Sequence, residues 1–259
     1  MDPNRTPIRA LNCRELTIEI GRRTLIMGIL NITPNSFSDG GRYVTTETAV
    51  ARALRMVEEG ADLIDVGGES TRPGAEPVSL EEELHRAIPI ITALKAVLRV
   101  PISVDTYKAE TARQAMEAGA QIINDVWGFK ADPEMAKVAA EFQCPVILSH
   151  NRKESQYRNL VQEVIEDLYE SIEIAHKAGV AEENIILDPG IGFGKTIQHN
   201  LILMNHLKDI VSMGYPVLLG TSRKSFIRHT LNLPAEDVVE GTAVTVAFGI
   251  AQGCEIIRV

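Results

Sequence analysis

Eight short apolar runs recur along this chain, each ending in a polar or glycine-rich turn and followed by a stretch with helical spacing. They read "LIMGILN" from Leu25, "ADLIDVGG" from Ala61, "PISVDT" from Pro101, "QIINDV" from Gln121, "PVILSH" from Pro145, "NIILDPG" from Asn184, "PVLLGTS" from Pro216 and "EIIRV" from Glu255. Runs this short and this continuously apolar predict strands buried on both faces. Between them, residues 47–59 place Ala49, Ala53, Leu54 and Val57 on one helical face before Gly60. Ser79 is a good N-cap for 80–98, with Glu81, Glu82 and Glu83 in the first turn. Further helices are predicted over 109–118, 133–142, 157–178, 199–213 and 238–252. Strand and helix therefore alternate eight times, which predicts a (β/α)8 barrel of the TIM type. An open doubly wound sheet is the competitor, but no GxGxxG follows the first run. Upstream, "ELTIEIGRRTLIMG" predicts a small hairpin turning at Gly21-Arg22-Arg23, and residues 1–7 read as a loose tail. No composition shift divides the chain, so residues 1–259 read as one domain.

In such a barrel, chemistry sits at the carboxyl ends of the strands. Taken in order, those ends carry Asn31, Asp65, Asp105, Asn124 with Asp125, His150, Asp188, Lys224 just beyond Ser222, and Arg258. Buried carboxylates need partners, so a ring of them predicts a binding site. Carboxylates and an amide can grip a flat heterocycle with several N–H groups, such as a pterin or a purine. Lys224 and Arg258 offer charge to an anion. The loops "SFSDGG" at 36–41 and "STRPG" at 70–74 have Gly and Pro hinges and are candidate lids over a second substrate.

Composition narrows the class of partner. The net charge of −9 argues against nucleic acid and acidic membrane as partners. Cys13, Cys144 and Cys254 form no CxxC pair and read as free thiols. No apolar leader segment and no 18-residue apolar run is present, so the expected location is the cytoplasm. "DPGIGFGKT", Asp188 to Thr196, invites a nucleotide-binding reading, but Pro189 stands where a GxxxxGK[ST] loop needs glycine. The glycines instead let backbone approach a flat ligand, with Phe193 available to pack on it. His150 lacks metal-site spacing and reads as a satisfied or exposed histidine rather than a zinc ligand. Trp127 and Glu69 also read as structural.

Taken together, "GILNITPNSFSDGG", "IDVGGESTRPG", "SVDTYK", "IIND", "LDPGIGFGK", "GTSRKS" and "IIRV", in that order, resemble the dihydropteroate synthases from about Leu25 to Val259. The resemblance implies a transferase of folate biosynthesis. It joins a dihydropterin, activated as its CH2 diphosphate, to 4-aminobenzoate, giving dihydropteroate and diphosphate. It further implies that Asp105, Asn124, Asp188 and Lys224 hold the pterin, with Gly220 and Phe193 beside it. Asn31 and Arg258 are implied at the diphosphate, with Asn31 near a Mg2+ ion. Thr71, Arg72, Pro73 and Ser222 are implied at the aminobenzoate, and Asp39 in the first loop. Lys224, Asp105, Asn31 and Arg258 are the candidate catalytic residues, and sulfonamides are expected ligands.

The chain departs from the family pattern in two places. Ser149 stands in "LSHN" where the family usually has Met. The family pattern also continues past "IIRV" with a histidine, an aspartate and a last helix that contributes to a dimer interface. No helix follows "EIIRV" here to cover the eighth strand, so a longer natural chain, homodimeric when full length, is expected. Two other functions fit the barrel: a pterin-binding methyltransferase of the methyltetrahydrofolate type, and a non-catalytic pterin-binding protein. The first would not need the "STRP" and "SRKS" loops.

Overall fold

A computed structural model of the protein describes residues 8–32, 45–70 and 76–259. The predicted tail at 1–7, the "SFSDGG" loop with Asp39, and Thr71, Arg72 and Pro73 lie outside the described residues. Two strands, β1 (Arg9–Cys13) and β2 (Leu16–Ile20), pair antiparallel. The eight apolar runs supply eight parallel strands: β3 (Leu25–Asn31), β4 (Leu63–Gly67), β5 (Ile102–Asp105), β6 (Ile122–Asp125), β7 (Val146–Ser149), β8 (Ile185–Asp188), β9 (Leu218–Gly220) and β10 (Ile256–Arg258). Strands β3 to β8 pair in sequence order, each with its neighbour, β10 lies against β3, and β9 lies beyond β10. A bridge between Leu187 and Val217, with the Leu187 N–H donating to Pro216 O at 2.9 Å, joins β8 to the approach of β9. The result is a (β/α)8 TIM barrel.

Around it run α1 (Thr46–Glu58), α2 (Leu80–Val97), α3 (Ala109–Ala118), α4 (Met135–Phe142), α5 (Leu160–Ala178), α6 (Ile197–Asn205), α7 (Leu207–Val211), α8 (Ser225–Leu231) and α9 (Val239–Ala251). Ser79 caps α2 as predicted, accepting from the Glu82 N–H. The helix predicted over 199–213 is broken at His206, whose φ of −113° and ψ of 19° leave the helical region. Gln252 accounts for the break. Its amide donates to Met204 O at 2.6 Å and its carbonyl accepts from the Lys208 N–H at 3.3 Å, satisfying backbone groups on both sides.

The hairpin lies one strand earlier than predicted. Its turn is Arg14-Glu15, between the paired Cys13 and Leu16, and Gly21-Arg22-Arg23 instead links β2 to β3. Arg14 takes the left-handed φ of 58°, uncommon for a residue with a side chain. Its guanidinium then donates to Met116 O at 2.7 Å, at the end of α3.

Strand residues alternate between the barrel interior and the helices. Leu30, Ile64, Val66, Val104, Ile123, Leu148, Leu187 and Leu219 face outward and pack with the helices into the larger apolar core. Met27, Leu63, Ile122, Ile147, Ile186, Leu218 and Ile256 face inward and meet Leu11, Cys13 and Ile20 of the hairpin. The hairpin thus plugs the amino-terminal end of the barrel. Each large side chain buried there contributes roughly 1.5–3 kcal/mol of transfer free energy. All three cysteines are buried and free, and burial pushes each thiol up to about 12. Among the described residues, no helix is long and apolar enough to cross a membrane.

Candidate active site

Two residues beyond the inner apolar layer, the same inward-facing register turns polar. Leu63 gives way to Asp65, Ile122 to Asn124, Ile147 to Ser149, Ile186 to Asp188, Leu218 to Gly220 and Ile256 to Arg258. β5 contributes Ser103 and Asp105. All the carboxylates and amides of this layer are buried, so they must bond one another.

Asp65, fully buried, is the hub. It accepts from Ser103 Oγ at 2.6 Å, from Asn124 Nδ2 at 3.1 Å and from Arg258 Nε at 2.6 Å. Arg258 also donates through Nη2 to Asp105 at 2.6 Å, so one guanidinium serves two carboxylates. Burial raises the Asp105 carboxyl to about 7; Arg258 opposes the rise, and Asp65 adds to it. On the opposite wall, Asp188 accepts from the Gly190 N–H at 2.8 Å and from Ser149 Oγ at 3.2 Å. The hydroxyl of Ser149 is therefore occupied by the Asp188 carboxylate.

Lys224, the N-cap of α8, donates to the Ile191 carbonyl, and its Nζ lies 4.5 Å from the centroid of the Phe193 ring. Burial pulls its ammonium down to about 8, resisted by the charges of Asp188 and Asp105. Gly192, at φ 90°, is required here: a Cβ on it would meet Lys224 Cδ at 2.9 Å. Gly220 leaves free space between Arg258 and Lys224, a Cβ there lying 3.8 Å from the one and 3.9 Å from the other.

Above this layer opens a cavity of about 670 Å³. Six predicted residues line it: Asn31, Phe193, Gly220, Ser222, Lys224 and Arg258. Asp105, Asn124 and Asp188 lie off that wall: Asp105 is joined to it by Arg258, Asn124 by way of Asp65 and Arg258, and Asp188 by the charge on Lys224. Asn31 and Arg258 are not register partners across β3 and β10. Arg258 pairs with Met27, and Asn31 pairs with Gly67, because barrel strands are staggered.

Two residues of the sequence-read ring belong elsewhere. Asp125 points outward and accepts from the N–H groups of Trp127 and Phe129, both at 2.8 Å. His150 is fully buried between Asp167 and Lys195, at 2.9 and 2.7 Å. Burial drops its pKa to about 4, so it is neutral, as a structural histidine should be. Glu69 is structural too, bonded to Lys108 and, at 2.8 Å, to Tyr107. Ser70, the first residue of the predicted "STRPG" lid, is on the cavity wall, and sequence reasoning missed Arg223, Arg228 and Glu236 there. Arg223 carries a signal visible only in the backbone, a left-handed φ of 51°. No group of three His, Cys, Asp or Glu side chains able to hold a metal occurs among the described residues.

Comparison with known proteins agrees with this layout. Residues 27–259 match the family described as pterin binding enzyme. The chain is 57% identical over 241 residues to the dihydropteroate synthase of Clostridium beijerinckii, covering 93% of this chain and 90% of the relative. It superposes on the Xanthomonas albilineans dihydropteroate synthase with 4-aminobenzoic acid at a TM-score of 0.93 and 42% identity, covering 97% and 92% of the two chains. The complex of the Xanthomonas albilineans enzyme with 7,8-dihydropteroate gives 0.88 and 39%, covering 96% and 92%. A buried Asp–Asn–Arg hub below a cationic cavity, in a sequence alike over almost its whole length, leads to one conclusion: the chain belongs to the dihydropteroate synthase family of pterin-binding enzymes.

Proposed function

We propose that the protein condenses a (7,8-dihydropterin-6-yl)methyl diphosphate with 4-aminobenzoate, giving 7,8-dihydropteroate and diphosphate. The observation that carries this reading is the stacking of two layers: buried carboxylates and an amide below, and a cavity lined by Lys224, Arg258, Arg223 and Arg228 above. The lower layer suits the N–H groups of a pterin, and the upper suits two anions. The family likeness assigns Asp105, Asn124, Asp188 and Lys224 to the pterin, with Phe193 and Gly220 beside it. The same likeness assigns Ser222, Thr71, Arg72 and Pro73 to the aminobenzoate. Known relatives hold 4-aminobenzoic acid and 7,8-dihydropteroate, which supports the same pair of subsites here.

In the chemistry proposed, the methylene C–O bond breaks with its electron pair leaving on diphosphate. The arylamine nitrogen then forms the C–N bond and gives up a proton. Conjugation into the pterin ring, with Asp105 and Asp188 nearby, stabilises the methylene cation, so no protein nucleophile is needed. Arg258 uses Nε and one Nη2 hydrogen on Asp65 and Asp105, which leaves three N–H groups for an oxyanion. A pterin donating to Asp105 and a diphosphate drawing on Arg258 would replace their mutual ion pair with a charge-assisted hydrogen bond and a new ion pair.

Asn31 fits a neutral oxygen ligand of Mg2+. Its Oδ1 would lie 3.4 Å from a Cβ on Gly67, so glycine keeps that oxygen open, and Mg2+ commonly takes its other ligands from substrate phosphates and water. Bound there, the ion would neutralise charge developing on the leaving diphosphate. A homodimer and a cytoplasmic location complete the proposal; light scattering checks the first.

Diphosphate release measured with both substrates and Mg2+ tests the reading. Release that requires 4-aminobenzoate and stops with EDTA supports it. Methyl transfer, or pterin binding without turnover, would replace it with one of the other two functions. A pterin trapped covalently on the protein during turnover would overturn the nucleophile-free mechanism.

A further inference from the structure

Two features of the sequence, the lysine of "GFGK" and His150, neither line the cavity nor bond the Asp65 hub. Lys195 is half-buried, and its ammonium donates to His150 Nδ1 at 2.7 Å, Gly190 O at 3.0 Å and Phe193 O at 3.1 Å. All three hydrogens are thus placed on acceptors. The acceptor role of His150 Nδ1 follows from its other nitrogen, which sits 2.9 Å from the Asp167 carboxylate and must donate there. Asp167 is in turn clamped by Arg152, through Nε at 2.6 Å and Nη2 at 3.0 Å.

The chain of contacts runs inward as well. Lys195 fixes the carbonyls at both ends of the turn 190–193, which also closes on itself through the Phe193 N–H and Gly190 O at 3.0 Å. Between those points lies the Ile191 carbonyl that accepts from Lys224, and at the end lies the Phe193 ring under the Lys224 ammonium. Nothing else among the described residues holds the Lys224 ammonium by a hydrogen bond or ion pair. The turn has no room for side chains at its two tightest glycines. A Cβ on Gly190 would run into His150 O at 1.8 Å, and one on Gly194 into Arg152 O at 2.5 Å.

We propose that Lys195 is a positioning residue for Lys224: it locks the 190–193 turn whose Ile191 carbonyl and Phe193 ring fix the Lys224 ammonium in the pterin subsite. The proposal rests on the assignment of Lys224 to the pterin. His150 and Asp167 serve as the rigid backing that keeps Lys195 turned inward. The signature of such a role is dependence on Lys224 itself, which a general contribution to folding would not show.

A double-mutant cycle on pterin affinity tests this. The dissociation constant for oxidised 6-hydroxymethylpterin is measured by calorimetry in the natural protein, Lys195→Met, Lys224→Ala and the double variant, with folding checked by circular dichroism. Lys195→Met is expected to weaken binding about tenfold in the natural background and less than about twofold beside Lys224→Ala. Full additivity, with the same loss in both backgrounds, would overturn the proposal, as would unchanged affinity in Lys195→Met. Should Lys195→Met fail to fold, Lys195→Gln runs the same cycle, since its amide keeps two donors for the Gly190 and Phe193 carbonyls. Its expected loss is about threefold, again confined to the Lys224 background. Unchanged affinity in Lys224→Ala alone would instead remove Lys224 from the pterin subsite, the reading on which the proposal rests.

Discussion

The two ends of the barrel use the same strands and the same inward-facing register, yet they solve opposite problems. At the amino-terminal end, Met27, Leu63, Ile122, Ile147, Ile186, Leu218 and Ile256 close against a hairpin that contributes Leu11, Cys13 and Ile20. Two residues further along each strand, Asp65, Asp105, Asn124, Asp188 and Arg258 stand in the same orientation. The apolar layer needs only shape and volume, because burial alone stabilises it. The polar layer needs a partner for every atom, and each partner comes from a different strand: Ser103, Asn124 and Arg258 all meet on Asp65. The lesson is that a barrel tolerates a buried carboxylate, at a cost, where neighbours from other strands receive it, and not one layer down, where nothing does.

That contrast has a direct test, and it carries the largest expected effect. Ile186→Asp puts into the sealed layer the residue that position 188 carries safely. An unpartnered carboxylate there costs several kcal/mol, a large part of the roughly 5–15 kcal/mol that holds a domain together. The variant is expected to be unfolded or insoluble, as judged by circular dichroism and soluble yield. A folded Ile186→Asp protein melting near the natural temperature would break the comparison between the two ends.

The opposite behaviour is expected of Lys224→Ala. Lys224 sits in the polar layer, and its ammonium is held by one carbonyl and one ring. On the proposed role of Lys224 in holding the pterin, its removal should lower kcat/KM by about 10²–10³-fold. The melting temperature should stay within a few degrees, because burial already penalises the charge. Diphosphate release and a thermal melt on the same sample decide it. Retained activity would remove Lys224 from the site.

How much of this was legible beforehand follows the same division. The strands were legible because both faces of each are buried, so the runs stand out as continuous apolar stretches. The polar ends of the runs were legible as well, and six of the predicted residues do line the cavity. The mistakes came from ignoring alternation. Asp125 and His150 were read into the ring, although stepping by two from Ile122 and Ile147 reaches Asn124 and Ser149 instead. Other features depend on contacts that no local pattern encodes. Arg258 finds Asp65 and Asp105 across 193 and 153 residues, and Gln252 breaks the 199–213 helix from 44 residues beyond Lys208. The added cavity residues Arg228 and Glu236 lie past the strand end, on α8 and just before α9, where the strand-end rule does not reach.

The smallest expected effect concerns pH, and it sharpens the comparison because activity and stability should move in opposite directions. Asp105 is raised from its ordinary 3.8 to about 7, chiefly by burial, with Arg258 opposing and Asp65, Glu83 and Asp125 reinforcing. Lys224 is lowered from 10.5 to about 8, chiefly by burial, against Asp188 and Asp105 and with Arg258. A pterin held by ionised Asp105 and protonated Lys224 therefore requires a pH between the two values. kcat/KM for the pterin diphosphate should fall as pH drops through about 7 and as it rises through about 8. For stability the signs reverse. The folded state binds the Asp105 proton more tightly than the unfolded chain. That contribution is complete below 3.8 and is lost as pH climbs through about 7. Folding binds the Lys224 proton less tightly, so its contribution is absent below about 8 and grows as pH rises through 10.5. The window of activity is thus the window in which both groups weigh most against folding, a burden the apolar end of the barrel never carries. Asp105→Asn should remove the acidic limb and most of the turnover, and flatten the fall in melting temperature between pH 4 and 7. At pH 8 it should melt a few degrees above the natural protein. A variant that melts lower at pH 8 would mean that the Arg258 pair with Asp105 outweighs the cost of burying the carboxylate, and that the two ends of the barrel are stabilised more alike than their residues imply.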